Sequence, residues 1–274
     1  MTLSAALSTH SQKNVEVLED FSPHPVEVIQ GNFKSGILLL CDHASNHVPD
    51  DLKQLGLPDA QFERHIGYDI GAAQVTRLLA GYLKAPAALT QFSRLVIDPN
   101  RGRDDPTLVM RLSDGAVVPG NAYVNSTDIH ARITRFYEPY DRVIRDFIAQ
   151  FQIRGINPLI ISIHSFTPVW RGVPRPWQIG FLWHEDKRLT DFLITQMQKM
   201  AHLTIGDNEP YAGGLPGDTI DRHATKHGFA NTLIELRQDL IADEAGARSW
   251  AERLAPLLVE ASGQKVMHEI RHIP

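Results

Sequence analysis

An unbroken row of apolar residues, Ile37-Leu38-Leu39-Leu40-Cys41, leaves no polar face in either a helix or a strand. At this length it reads as a strand covered on both sides, the environment of a parallel sheet. Leu159-Ile160-Ile161-Ser162-Ile163 repeats the pattern, and further β-type runs fall at 94–97, 178–182 and 230–235. Between them lie segments of helical periodicity. Residues 69–83 place Ile70, Ala73, Leu78 and Tyr82 at near-helical spacing, and 188–201 and 244–260 read as helices too. The longest helix is expected from about Thr127 to Arg154. Its apolar stripe is Ile129, Ile133, Phe136, Tyr140, Ile144, Phe147 and Phe151, and Gly155 is its stop. Strands alternating with helices imply an α/β fold, with a mostly parallel central sheet and helices on both faces. In such sheets ligands bind beyond the carboxyl ends of the strands, so chemistry is expected directly after the apolar runs.

Length and composition fit one domain of that kind. The 274 residues are 43% hydrophobic and 22% charged, the proportions of an ordinary soluble globular protein. No repeat or linker divides them. Residues 1–20 are polar and aperiodic and read as a flexible N-terminal arm, which leaves 21–274 as a single α/β domain. A net charge of -5 argues against a nucleic-acid or anionic-membrane partner. No apolar run approaches the roughly 20 residues of a membrane span, and the N-terminus lacks the pattern of a secretory signal. Cys41, the only cysteine, cannot form an intrachain disulfide. The expectation is a cytoplasmic protein, with a homo-oligomer left open.

Each apolar run is followed by residues of the kind that bind metals or move protons. After Cys41 comes Asp42-His43-Ala44-Ser45-Asn46-His47, and after Ile97 comes Asp98-Pro99-Asn100-Arg101. After Ile163 comes His164-Ser165, and after Ile234 comes Glu235-Leu236-Arg237. Polar residues end many strands, but four such ends that include two histidines point to a shared site. A catalytic zinc takes three ligands from His, Asp or Glu and keeps one position open for water. His43 and His164 directly follow buried strands and are the expected imidazole ligands. Asp69, in His65-Ile66-Gly67-Tyr68-Asp69-Ile70-Gly71, is the expected carboxylate ligand, unless it is spent as a helix N-cap. Glu235 is the expected general base, with a salt bridge to Arg237 as its other role. Asn100 and Arg101 suit a substrate carboxylate, for which Arg offers a planar fork, with Asp98 orienting Arg101 from behind. The alternative there is a loop braced by Asp98. Arg237 is a candidate for a second carboxylate. His223, in Asp221-Arg222-His223, could orient substrate or stabilise an oxyanion, or be an ordinary satisfied histidine.

The ordered series DHASNHVP, HIGYDIGA, SRLVIDPNR, SIHS, GG followed by DRHATKHG, and IELRQ resembles the N-formylglutamate amidohydrolase family over residues 35–240. The resemblance implies a zinc-dependent amidohydrolase on a carboxypeptidase/phosphorylase-hydrolase-like α/β fold. It also implies one Zn2+ held by His43, Asp69 and His164, and a small N-formyl or N-acyl amino acid as substrate. The Asp-x-Asn-Arg element is similar to that of aspartoacylase-type zinc hydrolases, where Asn and Arg hold the substrate carboxylate. Two departures mark a divergent branch. GYDIGA stands where the formylglutamate hydrolases of histidine breakdown generally carry an aromatic-rich segment, and LPGDTID separates Gly214 from Arg222, elements that lie close together in those enzymes. The metal site therefore carries over better than the acyl group.

Other motifs are weaker. His268-Glu269-Ile270-Arg271-His272 matches the H-E-x-x-H pattern of zinc proteases. It reads as a decoy, because that site needs a third ligand downstream and a terminal helix is seldom buried in a cleft. Cys41 reads as a small core residue rather than a nucleophile. No G-x-S-x-G elbow exists, and no dinucleotide or phosphate loop follows a strand. His184 is a secondary candidate, and Trp170, Trp177 and Trp183 either wall a pocket or belong to aromatic core. Two other functions compete with the amidohydrolase: a zinc amidase or peptidase acting on a muropeptide or small peptide, and a non-catalytic binder on the same fold. The carboxylate handles count against the first, and the intact ligand set with Glu235 counts against the second.

Overall fold

The computed structural model describes residues 24–200 and 202–272, so the expected arm at 1–20 lies outside the described residues. Seven strands form the main sheet: β1 (Val26–Ile29), β2 (Ile37–Cys41), β3 (Ala87–Thr90), β4 (Leu159–Phe166), β5 (Ile179–Leu182), β6 (Ile205–Asp207) and β7 (Asn231–Arg237). Their order across the sheet is β1-β3-β2-β4-β7-β5-β6. β3, β2, β4 and β7 run parallel, and β6 runs parallel to β5. The antiparallel pairings are β1 on β3 and β5 on β7. The sheet is mostly parallel, as expected, and its parallel centre carries the strand ends that matter.

Helices cover both faces. They are α1 (Ala72–Leu83), α2 (Ser126–Arg132), α3 (Glu138–Ile153), α4 (Arg188–Met197), α5 (Thr219–His223) and α6 (Glu244–Ser262). The period-2 alternation of β2 explains the layering. Ile37, Leu39 and Cys41 pack with Val75 and Leu79 of α1, Leu193 of α4 and Leu254 and Leu258 of α6. Leu38 and Leu40 pack on the other face with Tyr140, Ile144, Phe147 and Phe151 of α3. Cys41 is a buried core residue, as read from its place in the strand. Among the described residues, no helix is long and apolar enough to cross a membrane.

The helix expected at 127–154 forms with one irregularity. Asn125 caps α2, its side chain accepting from the Thr127 and Asp128 amides. A π-helical turn at Ile133–Tyr137 then joins α2 to α3. Pro139 explains the local widening, since it has no N–H to return to the preceding turn. Gly155, at φ 70°, follows the end of α3.

The expected strand at 94–97 does not form. Leu95, Val96 and Ile97 are fully buried, but in turns. The Val96 amide donates to Ser93 O at 2.9 Å, and the Asp98 amide donates to Leu108 O at 2.8 Å. Their side chains join a third apolar cluster with Phe92, Leu108, Val118 and Phe136. The strand in this part of the chain is β3, whose small side chains, Ala87 and Ala88, give little periodic signal.

Candidate active site

The parallel strands deliver the site from their carboxyl ends. β2 runs into Asp42 and His43, β4 carries His164, and Glu235 of β7 is the register partner of His164. Asp69 lies in the turn that enters α1, where its amide donates to His43 O at 2.9 Å. The N-cap of α1 is Gly71, at φ 81°, and a Cβ there would stand 2.2 Å from Ile241 O. Only glycine fits that position. Asp69 therefore does not cap the helix, and its carboxylate is free for the site.

One ligand-type atom from each of His43, Asp69 and His164 lies within 4.8 Å of the others, and all three residues are buried. Asp69 Oδ2 is 2.8 Å from His164 Nδ1 and 3.3 Å from His43 Nδ1. Each imidazole is held by a second carboxylate at its far nitrogen. His43 Nε2 lies 2.8 Å from Asp98 Oδ1, and His164 Nε2 lies 2.9 Å from Asp42 Oδ2. Ser162 donates to the same Asp42 oxygen at 2.6 Å, and Arg94 donates to Asp98 Oδ2 at 2.7 Å. Carboxylates behind histidines in this way fix the ring orientation of metal ligands. Asp42, Asp98, Ser162 and Arg94 all sit within or beside the quoted motifs, yet only the folded geometry shows which ring each one serves.

The charges agree with that arrangement. Burial alone would raise the Asp42, Asp69 and Asp98 carboxyls, but their cationic neighbours hold all three below the ordinary range. For Asp42 the neighbour is His164, for Asp69 His43 and His164, and for Asp98 chiefly Arg94. Burial would lower His164, yet Asp42 and Asp69 push it well above its usual value. Three carboxylates thus share one guanidinium and two imidazoles, a site that favours additional positive charge. A divalent cation fits this donor set: it would replace protons between Asp69 and the two Nδ1 atoms, while Asp42 and Asp98 keep the outer nitrogens.

Glu235 differs from these acids. Burial lifts its carboxyl to about 7, opposed by the charge of His164 and reinforced by that of Asp69. Its Oε2 has no hydrogen-bond partner among the described residues, and Glu235 lines the adjoining cavity. The alternative salt bridge to Arg237 does not form.

The cavity has a volume of about 380 Å³, within the range of small-molecule sites. Asn100 and Arg101 line it together with the three candidate ligands. Asn100 Oδ1 accepts from the Thr219 amide at 3.1 Å. Arg101 donates to Asn100 O at 2.8 Å and to Thr107 Oγ1 at 3.2 Å. Asp98 does not brace Arg101, because it is engaged by His43 and Arg94.

Two expected substrate residues lie elsewhere. Arg237 does not line the cavity: it donates to Asp239 at 2.8 and 3.2 Å and to Arg175 O at 3.4 Å. His223 is buried against α3, with Nε2 2.8 Å from Asp141 Oδ1, and does not line the cavity either. His184 and segment 215–221 do contribute to the wall, the latter through Leu215, Asp218, Ile220 and Asp221. Burial raises Asp218 to about 6. Trp170 and Trp183 line the cavity, whereas Trp177 does not. His268 of the H-E-x-x-H decoy is taken up by Asn157 O and Ser262 O, at 2.7 and 2.8 Å.

Residues 35–242 match the N-formylglutamate amidohydrolase family. Gene product Atu2144 from Agrobacterium tumefaciens is similar in structure, with a TM-score of 0.80 and 34% identity over 86% of this chain and 94% of that one. N-formylglutamate amidohydrolase from Ralstonia eutropha JMP134 shares the fold at a TM-score of 0.60 and 17% identity, over 88% of this chain and 98% of that one. No curated protein sequence matches the chain. The family match spans every element that supplies the His-Asp-His cluster, Glu235 and the Asn100-Arg101 pair: the chain belongs to the N-formylglutamate amidohydrolase family.

Proposed function

We propose that the protein is a zinc-dependent amidohydrolase that cleaves the acyl–nitrogen bond of an N-formyl or N-acyl amino acid. One observation carries the reading. A convergent, buried His43-Asp69-His164 cluster adjoins a buried carboxyl, Glu235, whose Oε2 has no hydrogen-bond partner among the described residues. A Zn2+ held there would acidify its water to a pKa of about 7 and polarise the acyl oxygen. Asp42 and Asp98 keep the two imidazoles turned toward Asp69. Glu235 accepts the proton of the attacking water and passes it to the leaving nitrogen, the role of a buried carboxyl that faces the cavity beside the cluster. Arg101 has no carboxylate partner among the described residues, which suits it to the substrate α-carboxylate beside Asn100.

The test is a hydrolysis screen of N-formyl, N-acetyl and N-succinyl amino acids with the zinc-loaded protein, repeated after chelation. Release of the free amino acid is expected to stop on chelation and to return with zinc. Turnover that survives complete metal removal would overturn the metal-dependent reading. Arg101→Lys keeps the charge and loses the bidentate fork, so kcat/KM is expected to fall about 10- to 150-fold. The variant should also discriminate less against substrates whose α-carboxylate is an amide. Equal preference in the two proteins would remove Arg101 from that role.

A further inference from the structure

Arg175 is a buried cation beside the cavity for which the described residues supply no anion. The residue is 8% exposed. Its guanidinium lies 5.7, 5.3 and 4.9 Å from the ring centroids of Phe166, Trp170 and Tyr211. Its Nη1 donates to Thr167 Oγ1 at 3.2 Å, to Thr167 O at 3.5 Å and to Tyr211 Oη at 3.0 Å. Among the described residues no carboxylate pairs with it. Phe166, Thr167, Trp170 and Tyr211 all line the cavity, so Arg175 lies one layer behind its wall.

An arginine this deeply buried is ordinarily paired, because the desolvation of its charge is otherwise uncompensated. The three rings return part of that cost through cation–π contact. The rest points to an anion that arrives from the cavity. Tyr211 Oη already accepts from Arg175, which leaves its own proton free to donate. A half-exposed phenol on the cavity wall, with a guanidinium fixed behind it, presents a charge-supported donor to an anionic oxygen. No other arginine of the site competes for the role. Arg94 is engaged by Asp98 and Asp69, Arg237 by Asp239, and Arg101 is assigned to the α-carboxylate.

We propose that Tyr211, backed by Arg175, forms a second anion subsite of the cavity, which binds a carboxylate on the side chain of the substrate. The inference rests on the reading above for the presence of an N-acyl amino acid in the cavity. Tyr211 makes the contact, and Arg175 is a positioning residue that fixes the phenol and supplies the charge. Arg237, from sequence a candidate for a second carboxylate, supports this subsite from outside by donating to Arg175 O.

Glutamate and glutamine differ only in a side-chain carboxylate against an amide, so their N-formyl derivatives form the test pair. The kinetics of both derivatives are measured for wild type, Tyr211→Phe, Arg175→Lys, Arg175→Gln and Arg237→Gln. Wild type is expected to prefer the glutamate derivative by about 10-fold or more, mainly through KM. Tyr211→Phe and Arg175→Gln should bring the ratio near unity, Arg175→Lys should retain part of it, and Arg237→Gln should keep it. Should Arg175→Gln fail to fold, Tyr211→Phe decides, since it removes one oxygen from a half-exposed side chain. A wild-type ratio retained in Tyr211→Phe overturns the proposal, as does a loss confined to kcat with the ratio unchanged. A parallel calorimetric titration with free glutamate and free glutamine needs no turnover. Tighter binding of glutamate by wild type, lost in Tyr211→Phe, supports the subsite even if no amide is hydrolysed. Equal binding of the two amino acids overturns it.

Discussion

Among the described residues, two groups of buried histidine and aspartate invite comparison, and only the first opens onto the cavity. At the strand ends, Asp42, Asp69 and Asp98 surround His43 and His164, with Arg94 as the one guanidinium in contact. Between α5 and α3, the single carboxylate of Asp141 receives both His223 and Arg222, each at 2.8 Å. The second group is balanced. Arg222 also donates to Pro99 O and Arg101 O, at 3.1 and 3.3 Å, so the group pins the Asn100-Arg101 turn to the helices. The first group sets three carboxylates against one guanidinium, so its balance depends on charge taken up at the imidazoles, and it opens onto a cavity. Residue type is the same in both, so charge balance and access separate a metal-type centre from a structural brace.

The sharpest way to break the comparison is to remove a histidine or its neighbouring acid from each group. His164→Ala is expected to abolish both metal uptake and turnover, while His223→Ala should leave the metal content per chain unchanged. Within the first group, Glu235→Gln should lower turnover by about 10²- to 10⁴-fold with metal content unchanged, because Glu235 moves protons and is not a ligand. Elemental analysis beside the activity assay decides this. Parallel loss of metal and activity would make Glu235 a ligand instead. A smaller effect is expected from Asp98→Asn, which keeps the shape but weakens the hold on His43 Nε2. Metal affinity should fall about 10- to 100-fold, measured by competition with a chelator of known affinity. Unchanged affinity would mean that the turn alone orients His43.

Strand ends made the first group legible from sequence. His43, His164 and Glu235 each follow an apolar run, and a parallel sheet brings such ends together. Asp69 was legible only as one of two roles, and in the fold Gly71 takes the cap position instead. Asp98 was assigned to the wrong partner because Arg101 is near in sequence. In the fold, the buried ring of His43 and Arg94, four residues earlier, claim it first. Arg237, too, is taken up by a near neighbour. It lies two residues beyond Glu235, but Asp239, two residues on, captures its guanidinium. Burial of Leu95, Val96 and Ile97 imitated a strand, because a continuous apolar run marks burial and not extension. Arg175 gave no signal at all: what matters about it is that none of the described carboxylates pairs with it, and that is a property of the packed structure.

The smallest expected effect separates the two groups by acid. Burial alone would raise the Asp141 carboxyl, but the hydrogen bond from His223 and the charge of Arg222 bring it down to about 2, from an ordinary value of 3.8. A carboxyl depressed by folding contributes stability above its unfolded value and loses it as pH falls toward the folded one. At about 1.4 kcal/mol per pH unit between the two values, Asp141 contributes about 2 kcal/mol at neutral pH, lost between roughly pH 4 and pH 2. Denaturant unfolding of metal-free wild type and Asp141→Asn should therefore show the widest gap at pH 6. By pH 3 the gap should have narrowed by about 1 kcal/mol. The carboxylates at the strand ends titrate in both proteins, so their contribution cancels in the difference. A gap that stays constant from pH 6 to pH 3 would show that His223 and Arg222 hold Asp141 through shape and not through charge. The contrast between a balanced brace and a charge-rich centre would then have to rest on access to the cavity alone.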